Sequence, residues 1–76
     1  MNRTQKTVQK ELKESNRMLK KAQQIVLEQQ EELQVAKDNK RKETIKFIKM
    51  QLIRSKELVR LYQVDIEKYN RILEEQ

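Results

Sequence analysis

Two heptad arrays that do not share one register run through this chain. In the first half, apolar or small residues alternate at spacings of four and three, with one polar exception at Gln29: Val8, Leu12, Ser15, Leu19, Ala22, Val26, Gln29, Leu33 and Ala36. The second half repeats the spacing at Ile45, Ile48, Leu52, Ser55, Val59, Tyr62, Ile66, Tyr69 and Leu73. We call these two sets of positions the seam. Sustained heptads of this kind are typical of coiled-coil helices.

The two arrays are out of step by two residues at the segment KDNKRKE, residues 37–43. In a continuous helix this displacement rotates the apolar stripe by about 200°, away from the partner of the first half. A turn removes that conflict. Asn39 tolerates the left-handed conformation that ends a helix, and Asp38 or Asn39 can cap the next one. One uninterrupted charged helix is the alternative, because the segment contains no Gly.

We therefore predict an all-α fold: a two-helix antiparallel coiled-coil hairpin that dimerises into a four-helix bundle. The single domain would span residues 1–76, with helix 1 at about 4–37, the turn at about 38–42 and helix 2 at about 43–75. Each helix would then be roughly 50 Å long at 1.5 Å per residue.

Folding the chain at this turn makes the layers of the seam complementary. Residue numbers across each layer add to 81, so that small residues such as Ala22 face larger ones such as Val59. The fold also brings acidic residues of helix 1 near basic residues of helix 2: Glu28, Glu31 and Glu32 near Lys46, Lys49 and Arg54. Opposite charges of this kind favour antiparallel pairing.

The composition restricts what else can stabilise the chain. A domain of 76 residues buries only about 60% of the surface that its unfolded chain exposes. The sequence has no Cys and no His, which excludes disulfides, thiolate or imidazole metal ligands and a near-neutral proton shuttle. We expect no cofactor and no metal. Oligomerisation is the remaining way to add stability.

Helix 2 has more apolar surface than one seam can use. A second stripe flanks the seam at Phe47, Met50, Leu58, Leu61 and Ile72, and helix 1 adds Met18 and Ile25 along one edge. The combined apolar arc spans about 220°, against roughly 100° for a helix with one buried face. This surface would either close a homodimer by isologous contact or dock on a larger protein.

Enzymatic activity is not expected from these residues. There is no Gly-rich phosphate loop, and the adjacent pairs Glu31–Glu32 and Glu74–Glu75 have side chains that point about 100° apart on a helix. We expect a non-enzymatic protein–protein interaction module. It would be a small coiled-coil regulator or adaptor that docks through helix 2, of a kind found among bacterial and phage small proteins.

A basic nucleic-acid-binding hairpin is the alternative. The net charge is +6, and a cationic cluster lies at and beside the turn: Lys40, Arg41, Lys42, Lys46 and Lys49. Such a cluster would contact phosphates with a steep salt dependence, because no free aromatic platform for bases is present. A membrane-surface role is not expected, since the basic residues are not confined to one face. With no apolar run of roughly 18 residues and no signal peptide, we expect a cytoplasmic protein.

Overall fold

The computed structural model describes residues 3–75, which form two long α-helices joined by a short turn. Helix α1 comprises Arg3–Asp38 and helix α2 comprises Lys42–Glu74. The helices pack side by side in an antiparallel hairpin of 56 × 14 × 13 Å. The helical hairpin predicted from the two heptad arrays is confirmed. Both helices begin one residue earlier than predicted, while α1 ends one residue later and α2 one residue earlier.

Backbone hydrogen bonds and one left-handed residue form the turn. Three N–H groups donate to carbonyls in the last turn of α1: Asn39 to Val35 at 3.0 Å, Lys40 to Lys37 at 3.1 Å and Arg41 to Ala36 at 3.0 Å. Lys40 has a φ of 54°. The bond from Arg41 to Ala36 encloses the bond from Lys40 to Lys37, and the donor of the inner bond is the left-handed residue, which is the pattern of the Schellman motif. This motif satisfies the carbonyls that a helix end leaves free.

The prediction assigned the left-handed residue to Asn39, and this was wrong. Because α1 continues through Asp38, every later position of the motif moves along by one, and Lys40 takes the left-handed place. The predicted cap by Asp38 or Asn39 is also wrong. Arg41 occupies the N-cap position of α2 without a side-chain hydrogen bond. The Asp38 carboxylate instead accepts a hydrogen bond from Gln34 Nε2 at 3.0 Å.

Replacing Lys40 with Gly should stabilise the hairpin. A left-handed conformation costs a residue with a Cβ roughly 1–2 kcal/mol, part of which the greater flexibility of Gly in the unfolded chain offsets. We expect Lys40→Gly to raise the free energy of unfolding by about 0.5–1 kcal/mol, measured by urea unfolding followed by circular dichroism. Asn39→Gly is the matched control and should bring no gain, because Asn39 does not have a positive φ. Equal stabilisation by both changes would contradict this account of the turn.

The core of the hairpin lies along the predicted seam. The buried residues of the described chain all occupy seam positions: Val8, Ser15, Ala22, Ala36, Ile48 and Leu52. Every other seam residue is half-buried. Ala36, Ile48 and Leu52 form a cluster, against which Val26, Leu33 and Ile45 pack. The heptads therefore identify the packed face of both helices.

Burial in this seam is incomplete and differs between the helices. Four seam residues of α1 are buried, from Val8 to Ala36, whereas on α2 only Ile48 and Leu52 are buried. No side chain within residues 3–75 is fully shielded from solvent. The apolar cluster lies next to the turn, whereas beyond Leu52 the seam residues of α2, including Tyr62 and Ile66, are only half-buried. Two helices can cover each other on one side only. The remaining exposure is the kind that a further helix would remove.

Candidate protein-interaction face

A second apolar stripe flanks the seam on one side of α2, and we call it the outer face. It consists of Phe47, Met50, Leu58, Leu61 and Ile72, together with Met18 and Ile25 on the adjoining edge of α1. Phe47 is 61% exposed and Leu61 is 48% exposed, while Met18 and Ile72 are half-buried. The hairpin itself therefore leaves much of this apolar surface in contact with water.

Heptad positions show how the two helices share the outer face. With the seam at positions a and d, Phe47 and Leu61 lie at c, and Leu58 and Ile72 lie at g, so all four fall on one line about 100° around α2 from the seam. Met18 and Ile25 also lie at g, on α1. In an antiparallel pair the g positions of both helices line the same edge, which we call the g edge. The opposite edge, lined by positions e, is the e edge.

Further exposed apolar residues were not singled out by the sequence pattern: Leu27, Val35, Ile53 and Val64. Ile53 has the largest exposed fraction among them, at 71%. These residues occupy positions b, c and f, and Leu27, Val35 and Ile53 have no apolar residue at the same position one or two heptads away. A search for periodic apolar positions passes over isolated residues of this kind, and only the exposed fraction of each side chain reveals them.

Leu27 and Ile53 line shallow grooves on the e edge. Leu27 lies beside Val26 of the seam in a groove that includes Lys56 and Val59 of α2. Ile53 lies in a neighbouring groove that includes Lys56 as well. Because lysine stems can cover apolar surface while the ammonium group stays in water, this edge is less available to an apolar partner than the g edge.

The charge contacts expected between the helices are not formed. Each of the two ion pairs within residues 3–75 lies inside a single helix: Glu14 with Arg17 at 2.6 Å in α1, and Glu57 with Arg60 in α2. The physical reason is the heptad position of the charges. Glu32 lies at g whereas Lys49 lies at e, so the two side chains project from opposite edges of the hairpin.

The three acidic residues that were expected to pair with α2 line a groove near the turn. Glu28, Glu31 and Glu32 line a groove on the g edge together with Arg41 and Thr44. No ion pair within 4 Å ties them to Arg41 in the described part of the chain. The carboxylates therefore remain available to solvent or to a partner.

The turn carries an exposed cationic cluster, which we call the basic tip: Lys40, Arg41, Lys42, Lys46 and Lys49. Within residues 3–75, no carboxylate lies within 4 Å of any of these charges. The acidic helix beside them was expected to offset part of this charge, but it does not do so through direct ion pairs. The basic tip is thus a surface that an anionic partner can reach.

One ion pair on the exposed side of α2 perturbs its own groups. Arg60 Nε donates to Glu57 Oε2 at 3.1 Å, and a second guanidinium N–H donates to Glu57 Oε1. This hydrogen bonding lowers the pKa of the Glu57 carboxyl and raises the pKa of Arg60. Both groups are fully exposed, so the pair fixes the orientation of two surface side chains and adds little to stability.

The described residues lack two further features, a metal-binding cluster and a membrane-spanning helix. They contain no group of three or more Asp or Glu side chains placed to hold a metal ion. Neither α1 nor α2 is both long enough and apolar enough to cross a membrane. Comparison of the chain with protein-family models, curated proteins and solved structures gave no match. The outer face and the basic tip are the features from which a function can be inferred.

Proposed function

We propose that this chain is a non-enzymatic protein–protein interaction module of the cytoplasm. It acts as a small coiled-coil regulator or adaptor that adds its helices, through the outer face, to the helices of another chain. The observation that carries the proposal is the stripe of exposed apolar residues on α2, which remains after the seam has used positions a and d. Exposed apolar residues that lie along one line of a helix are more often interaction sites than apolar residues scattered singly over a surface.

The geometry of the stripe favours a helical partner. Leu58 and Leu61 lie one turn apart near the middle of α2, where each is nearly half exposed. Burying the remainder of each leucine contributes on the order of 1 kcal/mol, and Phe47 adds an aromatic anchor toward the turn. Spacings of three and four residues match the ridges and grooves of another helix.

The basic tip supports a second candidate function, the binding of nucleic acid through phosphate contacts. The supporting observation is that the five cations of the tip are exposed and have no carboxylate within 4 Å among the described residues. Binding of this kind would fall steeply with salt and would show little preference for sequence. The outer face takes no part in it, so the two candidates predict different variants to be defective.

One capture experiment separates the two candidates. The tagged hairpin is incubated with nuclease-treated lysate of its native host at about 50 mM and about 300 mM salt. Leu58→Glu combined with Leu61→Glu should reduce the captured protein about tenfold or more, because two charges would be desolvated at the centre of the interface. Ile53→Glu is the matched control, since Ile53 is more exposed but lies away from the outer face, and it should capture normally.

The outcomes are distinct. Capture that does not respond to the double change at Leu58 and Leu61, while circular dichroism shows both proteins helical, would overturn the interaction proposal. The nucleic-acid candidate predicts that nuclease or high salt abolishes capture. It also predicts that glutamine substitution of the whole basic tip abolishes capture while the leucine variant retains it.

A further inference from the structure

The outer face of α2 has a heptad order of its own. Its c and g positions alternate at spacings of four and three: Phe47, Gln51, Arg54, Leu58, Leu61, Asp65, Lys68 and Ile72. Leu58 and Leu61 lie at the centre. Moving outward on either side, the next residue is charged (Arg54 or Asp65), the one after it is polar or charged (Gln51 or Lys68), and the last is apolar (Phe47 or Ile72). The two charges that flank the leucines are opposite in sign. The series therefore matches its own reverse, which is what a surface needs in order to pack on itself across a twofold axis.

We propose that the outer face binds a second copy of this chain, with the two α2 helices antiparallel about a twofold axis between Leu58 and Leu61. The inference rests on the proposed function and names the partner of the same face. Facing residues have numbers that add to 119: Leu58 faces the second copy's Leu61, Arg54 its Asp65, Gln51 its Lys68, and Phe47 its Ile72. The symmetry forms each of these contacts twice.

The charge pair is the most specific part of this register. Arg54 is exposed and Asp65 is half-buried, and neither has an ion pair within residues 3–75. Packed beside the central leucines, the Arg54 guanidinium would donate to the second copy's Asp65 carboxylate in a site with little water. Arginine and carboxylate pair bidentately in such sites, and that geometry fixes the register as well as adding affinity.

Other registers of the same face are electrostatically worse. A shift of one heptad in either direction places a central leucine opposite a charged residue: Arg54 in one case, and Asp65 or Lys68 in the other. In a parallel pairing, each charged residue lies opposite the same residue of the second copy, so that like charges meet. Like charges across an interface are costly, whereas the antiparallel register proposed here contains no like-charged pair in this stripe.

Helix α1 contributes to the same interface at the same level. Gln23 and Val26 of α1 line a groove with Lys56 and Val59 of α2, so the middle of the outer face lies level with residues near 22 of α1. Met18 and Ile25 lie on the g edge on either side of that level. Across the twofold axis, Met18 therefore meets the second copy's Ile25. The two hairpins form a four-helix bundle in which every neighbouring pair of helices is antiparallel.

The area available agrees with a stable dimer. One face of a body 56 Å long and 14 Å wide measures roughly 800 Å², which equals the area that each partner buries in an interface of standard size. The dimer also supplies what the single hairpin lacks, because no side chain in the described chain is fully buried. The half-buried seam residues of α2 beyond Leu52 would gain a second covering layer.

The first test is the mass of the purified protein in solution, measured by sedimentation equilibrium at concentrations up to about 100 μM. The wild-type chain should be a dimer. Arg54→Asp alone and Asp65→Arg alone should each raise the dissociation constant about tenfold or more, and the double variant should return to within about threefold of wild type. Lys56→Asp, an identical change in charge on the e edge, should leave the dissociation constant unchanged.

The second test locates the register by a covalent cross-link. The sequence has no cysteine, so an introduced thiol is unique. Across the axis, Arg54 and the second copy's Asp65 lie at the same level. Arg54 and the second copy's Arg54 are about 16 Å apart along the helix. Mixing the Arg54→Cys and Asp65→Cys proteins under mild oxidation should therefore give a cross-link between the two variants, and either variant alone should give far less, since a disulfide needs Cα atoms within about 7 Å.

The results that overturn the inference differ from those that overturn the proposed function. A monomeric wild-type protein at the highest concentration would exclude the second copy as partner. If the capture of another protein still depended on Leu58 and Leu61, the proposed function would stand with a different partner. Two results would overturn the antiparallel register. One is a dissociation constant that does not change when Arg54 or Asp65 is replaced, and the other is efficient cross-linking of the Arg54→Cys protein with itself. A monomer that captures nothing through these leucines would overturn both proposals.

Discussion

Replacing Leu52 with Ala should remove a large part of the free energy of unfolding of the hairpin. Leu52 is 7% exposed and belongs to the cluster with Ala36 and Ile48, the best-shielded part of the seam. Truncating a buried leucine removes about 2–5 kcal/mol, since the transfer energy of the lost atoms adds to the cost of the cavity left behind. A domain of this length has a total free energy of unfolding on the order of 5–10 kcal/mol. The loss would therefore take a substantial part of the stability of the protein.

Ile53→Ala is the matched control for this prediction. Ile53 follows Leu52 in the sequence and has a similar side chain, but it is 71% exposed. Its truncation should change the free energy of unfolding by less than about 0.5 kcal/mol. Thermal and urea unfolding followed by circular dichroism, with all proteins at one concentration, would measure both variants. Similar losses from the two changes would mean that the seam does not carry the stability of the hairpin.

Replacing Gln29 with Leu should stabilise the hairpin. Gln29 occupies a seam position, where its Oε1 atom is buried and accepts no hydrogen bond from the described residues. A buried polar atom without a partner costs about 1–3 kcal/mol. Leucine has a similar volume and no polar atom, and it would extend the apolar cluster near Val26 and Leu33. We expect the free energy of unfolding to rise by about 1–2 kcal/mol, and the melting temperature by roughly 4–8 °C per kcal/mol.

Gln24→Leu provides the comparison for the change at Gln29. Gln24 is exposed, and its side-chain amide makes only a long contact of 3.4 Å with Glu28. The same substitution there should leave the free energy of unfolding within about 0.5 kcal/mol of wild type. If Gln29→Leu failed to stabilise the hairpin, the polar atom would have a partner in solution, and a bound water is the simplest candidate.

The packed side of each helix could be predicted from the sequence because it depends on periodicity alone. Val8, Ser15 and Ala22 lie seven residues apart, and all three are buried. A polar serine at this spacing was assigned to the seam because of its small volume. Periodicity also predicted the turn. With the arrays displaced by two residues, a continuous helix would have exposed one of the two apolar stripes to solvent.

The local details of the turn and the surface charges could not be predicted in the same way. The place of the left-handed residue depends on where α1 ends, and a shift of one residue moved it from Asn39 to Lys40. Charge pairing between the helices was inferred from the level of the residues along the hairpin, without their angular position. Lys49 and Glu32 are near in level but project from opposite edges. Whether two exposed charges pair depends on the direction in which their side chains project. The net charge of a segment carries no information about that direction.

The outer face was predicted only in part. Phe47 and Leu61 lie two heptads apart, as do Leu58 and Ile72, so a pattern could find them. Ile53 and Leu27 do not repeat, and their exposure was visible only in the folded chain. The spacing of Leu58 and Leu61 does not show whether a partner covers them. The charge-exchange and capture experiments test this directly.

The position of the apolar cluster beside the turn has a consequence for how the chain closes. Contact between Ala36 and Ile48 encloses only about a dozen residues, whereas contact between Val8 and Leu73 encloses most of the chain. Loop-closure entropy grows with the logarithm of loop length, so forming the distant contact first would cost about 1.5 kcal/mol more than forming the near one. Once the layer at Ala36 has formed, each further layer adds only three or four residues per helix. Closure from the turn toward the termini therefore avoids this entropic cost.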